Sequence, residues 1–428
     1  MTRLPRSIPI LPVLTNLAIA RSRDRARPEA LAPIQADLLR RLVRHAAANV
    51  PHYRDTYDPA IVAALAGPAD LAALPTLTRR AAADLGPARL LADGLSISDT
   101  RTATTSGSTG EPATFCYSEH DMSYLRATYL WDMLACGMRP TDRVGYFRVG
   151  GFRRHRLEKL GLARNVHVNT SLTVAEQTDA FLAGRPTLAV GFPTAIAAVA
   201  AELRRRGIFY PHLRTVIFAG EPTLSGGRDE VLDYFGATGH EVYASVEAYT
   251  IARSCRRGSL HLRSGDVVVE VLGDDGTVTV AEGTGEIVVT RLRAEAMPLI
   301  RYRLGDRVEI VPDDCDCGDR FTPVVRSVLG RVEDRIVTLQ GAERNGDFIS
   351  SLINPVTRDG VLRLQFVQDR PGALRICAMV TPGREELLTA AIERVTAPAR
   401  AEFDIEIEIV DAIPLERNGK IRLVKRLW

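Results

Sequence analysis

Lysine is almost absent from this chain. Of 428 residues only Lys159, Lys420 and Lys425 are lysine while 52 are arginine, so a lysine set in a structured turn stands out. Excess charge of either sign is also missing. Arginine plus lysine number 55 against 52 acids, a net charge of +3 scattered along the chain, which excludes the one-signed field expected of a partner for nucleic acid or an acidic membrane. No apolar run reaches the ~18 residues of a membrane-spanning helix. Six cysteines are too few for a disulfide scaffold, and 33 glycines with 24 prolines are too few for a collagen-like or low-complexity chain. What remains is an ordinary globular composition, 46% hydrophobic, with length enough for several domains and a large core.

The apolar stretch Ile8 to Ala20 follows two arginines, as a signal peptide does. Pro9, Pro12 and Asn16 interrupt it and an arginine-rich stretch follows, so it reads as a helix lying on the domain surface, with the cytoplasm as the expected compartment. From Ile34 to Val50 apolar residues recur at helical spacing up to the breaker Pro51. Between Thr187 and Val246 strand, helix, strand, helix, strand follow in turn, which predicts a parallel sheet with crossovers. Ligands of such sheets sit beyond the carboxyl ends of the strands, which directs attention to the turns after Phe218 and Val246. From Leu260 to Val311 short β-rich runs separated by turn dipeptides such as Asp275-Gly276 predict an antiparallel sheet or small barrel. Beyond Gly330 a smaller unit carries strands near residues 362–368, 374–380 and 404–410, with a helix from Glu385 to Val395.

Five motifs carry chemistry. "TTSGSTGEP", Thr104 to Pro112, has the Ser, Thr and Gly content of a loop whose amides and hydroxyls converge on an anion, without the Lys of a Walker A loop. "YASVEA", Tyr243 to Ala248, places a carboxylate, Glu247, at a strand end where it suits Mg²⁺, and a flat ring, Tyr243, beside it. "RYRLGD", Arg301 to Asp306, ends in a carboxylate able to accept two hydrogen bonds from a ribose diol. "LGRVEDRI", Leu329 to Ile336, marks the domain junction, and "PLERNGKIRL", Pro414 to Leu423, sets Lys420 just after an Asn-Gly turn. Each alone is an ordinary turn or strand end.

In this order the five resemble the adenylate-forming superfamily of acyl- and aryl-CoA ligases, luciferase and peptide-synthetase adenylation domains, over about Ala30 to Trp428. "LLRRLVRHAAANVPHYR" and "FAGEP" (Phe218 to Pro222) resemble the phenylacetate–CoA ligase branch, and "RLQFVQ" in the tail resembles capsule-biosynthesis and coenzyme F390 synthetase-like members. The resemblance implies an α/β fold: a large domain, residues 1–330, with parallel sheets, helices and a β-rich subdomain, and a small mobile α+β domain, residues 331–428, carrying the catalytic lysine. It further implies that Thr105, Ser106, Gly107, Ser108, Thr109 and Gly110 hold the ATP phosphates. Gly220, Glu221, Pro222 and Tyr243 would surround adenine, Asp306 and Arg331 would serve the ribose, and Glu247 would bind Mg²⁺. Glu333 would be the hinge, and Lys420 would meet the substrate carboxylate and the α-phosphate, where a cation offsets the repulsion of two anions.

The activity so implied is ATP-dependent adenylation of a carboxylic acid, aromatic by analogy with the nearest branch, followed by transfer to the CoA thiol. Transfer to an amine or a carrier-protein thiol, activation of nitrite in diazo-forming biosynthesis, and a non-catalytic nucleotide-binding scaffold are the alternatives. Phe147, Phe192, Tyr249 and Trp131 are candidate pocket-wall residues, and a homodimer is compatible with the branch. Cys255, His261, Cys315 and Cys317 offer three thiolates and an imidazole, a closed structural Zn²⁺ set, and phenylacetate-ligase relatives include members with ligands in similar places. Cys116, Cys136 and Cys377 lack such neighbours and are expected to pack. Two departures stand out. Val246 occupies the place of the usual Ser or Thr before the Mg²⁺ glutamate, and polar residues fill 338–351, where CoA ligases keep a short Gly-rich stretch.

Overall fold

The computed structural model describes residues 10–104, 113–150, 156–221, 225–312, 315–318, 320–357, 359–414 and 422–428. The chain forms two compact units, one of Met1–Cys136 with Val242–Ser327 and the other of Gly137–Glu241 with Val328–Trp428.

In the second unit, the strands Thr215–Ala219, Leu188–Gly191, Arg143–Arg148 and Arg164–Asn169 lie side by side in that order, all parallel. The helices Val174–Gly184, Pro193–Arg205 and Ser225–Phe235 pack around them. Pro193 starts its helix at the first position, where a missing N–H costs nothing. The helix then buries Ile196, Val199, Ala200 and Leu203 at helical spacing against Val216, Phe218 and Phe147. The C-terminal part of this unit has a four-stranded mixed sheet in the order Asp404–Ile409, Ala373–Val380, Val361–Gln368, Val424–Arg426. Its own core joins Phe366, Ile376 and Phe403 to Ile349 and Ile353 of the helix Asp347–Thr357 and Leu388 and Ile392 of the helix Glu385–Thr396. The alternating and helical runs of the sequence therefore become the expected strands and helices to within a residue or two.

The first unit holds the predicted antiparallel sheet, ordered Val278–Val280, Val267–Leu272, Gly283–Arg291, Tyr302–Val311, and continuing through Val324–Arg331, Leu260–Leu262 and Tyr249–Ser254. The hairpin Arg101–Thr104 with Thr114–Tyr117 brackets residues 105–112. The helix Glu119–Ala135 begins with a capping box: Ser118 Oγ accepts from the Asp121 amide at 3.0 Å and the Asp121 carboxylate accepts from the Ser118 amide at 2.9 Å.

The N-terminal helix, Ile10–Asp24, departs in part from a surface location. Leu11 and Leu14 are exposed, but Ala20 and Asp24 are buried. Asp24 accepts from Arg253 and Arg263 at 2.6 Å each, pairs with Arg320 at 2.8 Å, and accepts from Trp131 Nε1 at 2.8 Å. A helix that looked like surface decoration is thus anchored at its end by buried charge. No described helix is long and apolar enough to cross a membrane.

Candidate active site and metal centre

The strand Thr238–Ser245 turns back into Tyr249–Ser254, and Glu247 sits in that turn. Ser245 Oγ accepts from the Ala248 amide at 2.9 Å, and Tyr249 takes a left-handed φ of 59°. This backbone costs an aromatic residue about 1–3 kcal/mol, so the surroundings must hold it. Part of the hold comes from Tyr117, whose hydroxyl donates to the Val246 carbonyl at 2.6 Å and whose ring meets Tyr249 edge-on, centroids 5.5 Å apart. Position 246, which has no hydroxyl to offer, is thus fixed through its backbone. Glu247 is 4% exposed, and the Tyr302 hydroxyl donates to its Oε1 at 3.4 Å.

Asp306 owes its place to a bulge. The register between Gly283–Arg291 and Tyr302–Val311 runs from Glu286 opposite Arg307 to Val288 opposite Arg303, so Leu304, Gly305 and Asp306 face a single residue of the partner strand. Gly305 supplies the left-handed φ of 76° that the excursion needs. Asp306 then accepts from the Tyr243 hydroxyl at 2.7 Å. The first unit thereby brings together three predicted residues, Tyr243, Glu247 and Asp306, with two tyrosines, Tyr117 and Tyr302, that sequence reasoning did not assign. Tyr302 lies inside the quoted "RYRLGD" motif, but nothing in its spacing says which acid it reaches. Its neighbour Arg301 is structural, pairing with the buried Glu270 at 2.9 Å.

Gly220 and Glu221 follow the parallel strand Thr215–Ala219 in the second unit. Gly220 has φ 87°, and a Cβ there would stand 2.8 Å from the Phe192 ring, so the turn requires glycine twice over. Glu221 Oε2 accepts from Thr194 Oγ1 at 2.7 Å, and Arg363 donates to the Thr194 carbonyl. In the stretch expected to join two domains, Arg331 and Glu333 are exposed. Asp334 beside them is buried, and burial pushes its carboxyl up to about 6 against the pull of Arg422 at 3.7 Å. Thr105, Ser106, Gly107, Ser108, Thr109, Gly110, Pro222 and Lys420 lie outside the described residues. Of the candidate wall residues, Phe147 is core beneath the parallel strands and Trp131 is bound to Asp24, whereas Tyr249 borders a cavity. Cys116, Cys136 and Cys377 are buried, as packing residues are.

The four metal-ligand candidates converge. The ligand atoms of Cys255, His261, Cys315 and Cys317 lie within 4.8 Å of one another. Cys255 Sγ is 3.7 Å from Cys315 Sγ, and Cys317 Sγ is 3.8 Å from His261 Nε2. A tetrahedron with metal–sulfur bonds of about 2.3 Å has edges of about 3.8 Å, so the separations suit Zn²⁺. His261 Nδ1 lies 2.9 Å from the Thr322 carbonyl, which fixes the tautomer and leaves Nε2 facing the thiols. Burial would raise the Cys315 thiol, but hydrogen bonds from Ser259, the Cys317 backbone and the neighbouring thiols outweigh it and lower it, favouring thiolate.

Comparisons with known proteins bear on the family and the fold. The CapK C-terminal domain family matches residues 336–427. The phenylacetate–coenzyme A ligase of Thermus thermophilus is 29% identical over 325 residues, 72% of each chain. That of Escherichia coli is 26% identical over 334 residues, 73% of this chain and 74% of its own. Protein CapK of Staphylococcus aureus is 22% identical over 243 residues, 56% of this chain and 52% of its own. In fold, the crystal structure of a 2-hydroxyisobutyryl-CoA ligase in its postadenylation state superposes with a TM-score of 0.77 at 18% identity, covering 94% of this chain and 91% of that one. These likenesses support the adenylate-forming, phenylacetate–CoA ligase-like reading of the sequence, with a C-terminal segment that matches the CapK C-terminal domain.

Proposed function

We propose that the protein adenylates a carboxylic acid with ATP and passes the acyl group to the thiol of CoA. The observation that carries this reading is the pair of buried carboxylates, Glu247 in a strand-to-strand turn and Asp306 in a β-bulge, each meeting a tyrosine hydroxyl. Glu247 offers the hard oxygen ligand that Mg²⁺ takes together with phosphate. Asp306 can accept from both hydroxyls of a ribose, with Tyr243 orienting it, and Arg331 serves the same sugar. Gly220, Glu221 and Pro222 with the Tyr243 ring receive adenine, and the amides and hydroxyls of Thr105 to Gly110 receive the β- and γ-phosphates. Lys420 places a cation between the attacking carboxylate and the α-phosphate, lowering the cost of bringing two anions together. Residues 331–428 act as the small mobile domain with Glu333 at its hinge, so that rotation withdraws the lysine and admits the second substrate. The cysteine–histidine quartet holds a structural Zn²⁺ with no open position for chemistry. An aromatic acid is the first class to test, because the phenylacetate–coenzyme A ligases are the relatives matched.

A different acceptor, an amine or a carrier-protein thiol, is favoured by one observation. Glu343 pairs with Arg335 and Arg426 at 3.3 and 3.4 Å, and Arg344 pairs with Glu402 at 2.8 Å, so a charged hairpin occupies the stretch where CoA ligases are Gly-rich. Substrate-dependent exchange of pyrophosphate with ATP, run without CoA on aryl and alkyl acids plus nitrite, tests the first step. Exchange with an acid, lost in Lys420→Ala, is the expected result. Exchange that survives Lys420→Ala would remove that lysine from the mechanism. CoA and amines offered to the adenylated enzyme then decide the acceptor.

A further inference from the structure

The motif "RLQFVQ", Arg363 to Gln368, has no part in the adenylation reading. It forms most of the strand Val361–Gln368, which gives Leu364 and Phe366 to the core of the C-terminal sheet. Arg363 and Gln365, two residues apart, share the other face of that strand. Gln365 stays within the sheet, its amide donating at 2.9 Å to the carbonyl of Arg422, two residues after Lys420 in the chain. Arg363 leaves the sheet. Its Nη2 donates to the carbonyl of Thr194, 169 residues earlier, in the first turn of the helix Pro193–Arg205. The Thr194 hydroxyl in turn donates to Glu221 Oε2 at 2.7 Å. Both residues of the turn after Thr215–Ala219 therefore rest on the start of one helix, Gly220 against the Phe192 ring and Glu221 on Thr194. Arg363 holds that helix start from the far side.

Two further observations place the strand and the turn together. The helix Ser225–Phe235, which follows the turn, lies against the same strand: a Cβ on Gly227 would stand 3.3 Å from the Leu362 carbonyl. Burial pushes the half-buried Arg363 guanidinium below its ordinary value, and the charge of Glu221 pulls it back up. Glu221 thus acts on Arg363 as its countercharge, with Thr194 bonded to both.

We propose that Arg363 is a positioning residue for nucleotide binding: by holding Thr194 it fixes the Gly220–Glu221 turn, so that residues 331–428 contribute to binding of the base. That the turn receives adenine rests on the adenylation reading above; the relay itself rests on Arg363, Thr194 and Glu221. By linkage, a nucleotide in the turn favours the placement of the C-terminal sheet in which Arg363 reaches Thr194.

Isothermal titration calorimetry of the full chain with ATP and with AMP, each with Mg²⁺, tests the relay. Arg363→Met should raise both dissociation constants by about tenfold, the scale of one hydrogen bond to a charged group. Arg363→Lys, which keeps a cationic donor, should recover part of the loss. Thr194→Val removes the hydroxyl and keeps the shape, and should weaken binding to a similar extent. The double variant should bind no worse than the weaker single variant, because a relay broken at one link has nothing left to lose at the other. A merely structural role would lower the melting temperature of Arg363→Met and leave its dissociation constants unchanged. Circular dichroism verifies the fold of each variant, and Thr194→Val with Arg363→Lys carries the test if Arg363→Met does not fold. Unchanged dissociation constants in Arg363→Met, or losses that add in the double variant, would overturn the proposal and leave the adenylation reading standing. A loss for ATP without one for AMP would also overturn it, by placing Arg363 with the phosphates. A wild type that binds neither nucleotide would remove the adenylation reading, and the proposal with it.

Discussion

Two groups of buried or half-buried arginines share a wall in the first unit, and the chain treats them in opposite ways. Around Asp24, the guanidiniums of Arg253, Arg263 and Arg320 are met by Asp24, Asp132 and Asp266 at 2.6–3.5 Å. Burial alone would raise the Asp24 carboxyl, yet Arg263, Arg320 and Arg253 hold it well below the usual carboxylate range. Asp132, wholly buried with two of the same arginines, is still raised, because there the loss of water outweighs them. On the same cavity wall, Arg291 and Arg293 have no acidic partner among the described residues. The first cluster solves the cost of burying charge within the chain and ties the N-terminal helix to the sheet. The second leaves that cost standing.

Three measurements can break or sharpen this contrast. The largest effect is expected from the metal centre. Cys255 follows Arg253 and Ser254 directly, and Arg320 stands three residues beyond Cys317, so a metal held by the cysteine–histidine quartet would fix the segments that present two arginines of the matched cluster. Structural zinc is worth on the order of 10 kcal/mol in small zinc-binding peptides, more than an ion pair. Elemental analysis should find one zinc per chain, and Cys317→Ser or stripping with a strong chelator should lower the melting temperature more than any single charge substitution. A zinc-free protein with an unchanged melting temperature would remove the metal from the fold.

Next comes Asp24→Asn, which leaves three buried guanidiniums short of an acid and should cost about 3–5 kcal/mol in denaturant unfolding at pH 7. The sign of its pH dependence follows from the depressed carboxyl. Its contribution is complete above the unfolded value of about 3.9 and is lost as pH falls toward the lower folded value, so wild type and variant should converge in acid. A constant gap down to pH 2 would mean that the charge of Asp24 is not what matters. The smallest effect, of opposite sign, is expected of Arg291→Met. It removes an unmatched buried charge and should stabilise the protein by about 1 kcal/mol in denaturant unfolding. Destabilisation as large as that of Asp24→Asn would mean that Arg291 is structural after all.

Much of this was legible in the order of residues. The helix Ser225–Phe235 and the strand Val267–Leu272 begin and end where their periodicity says, because local pattern and burial agree there. The metal quartet was legible because cysteine is rare in the chain and four ligands recur between two motifs. The Asp24 cluster was not, since its partners lie 229 and 239 residues away and an arginine in an arginine-rich chain carries no signal. Nor were the roles of Tyr117 and Tyr302. Tyr302 meets Glu247 and Tyr117 meets the Val246 carbonyl across 55 and 129 residues, through a turn and strand pairings whose geometry no short window contains.

By itself, then, the sequence determined the elements, the family likeness and the candidate groups for ATP and metal, because each depends on local periodicity or on motifs read in order. Tertiary structure alone decided which charges are matched. A side chain's partner is set by the face its strand turns inward, and a bulge such as that at Gly305, or a left-handed turn such as that at Tyr249, resets that face after the sequence has fixed everything else.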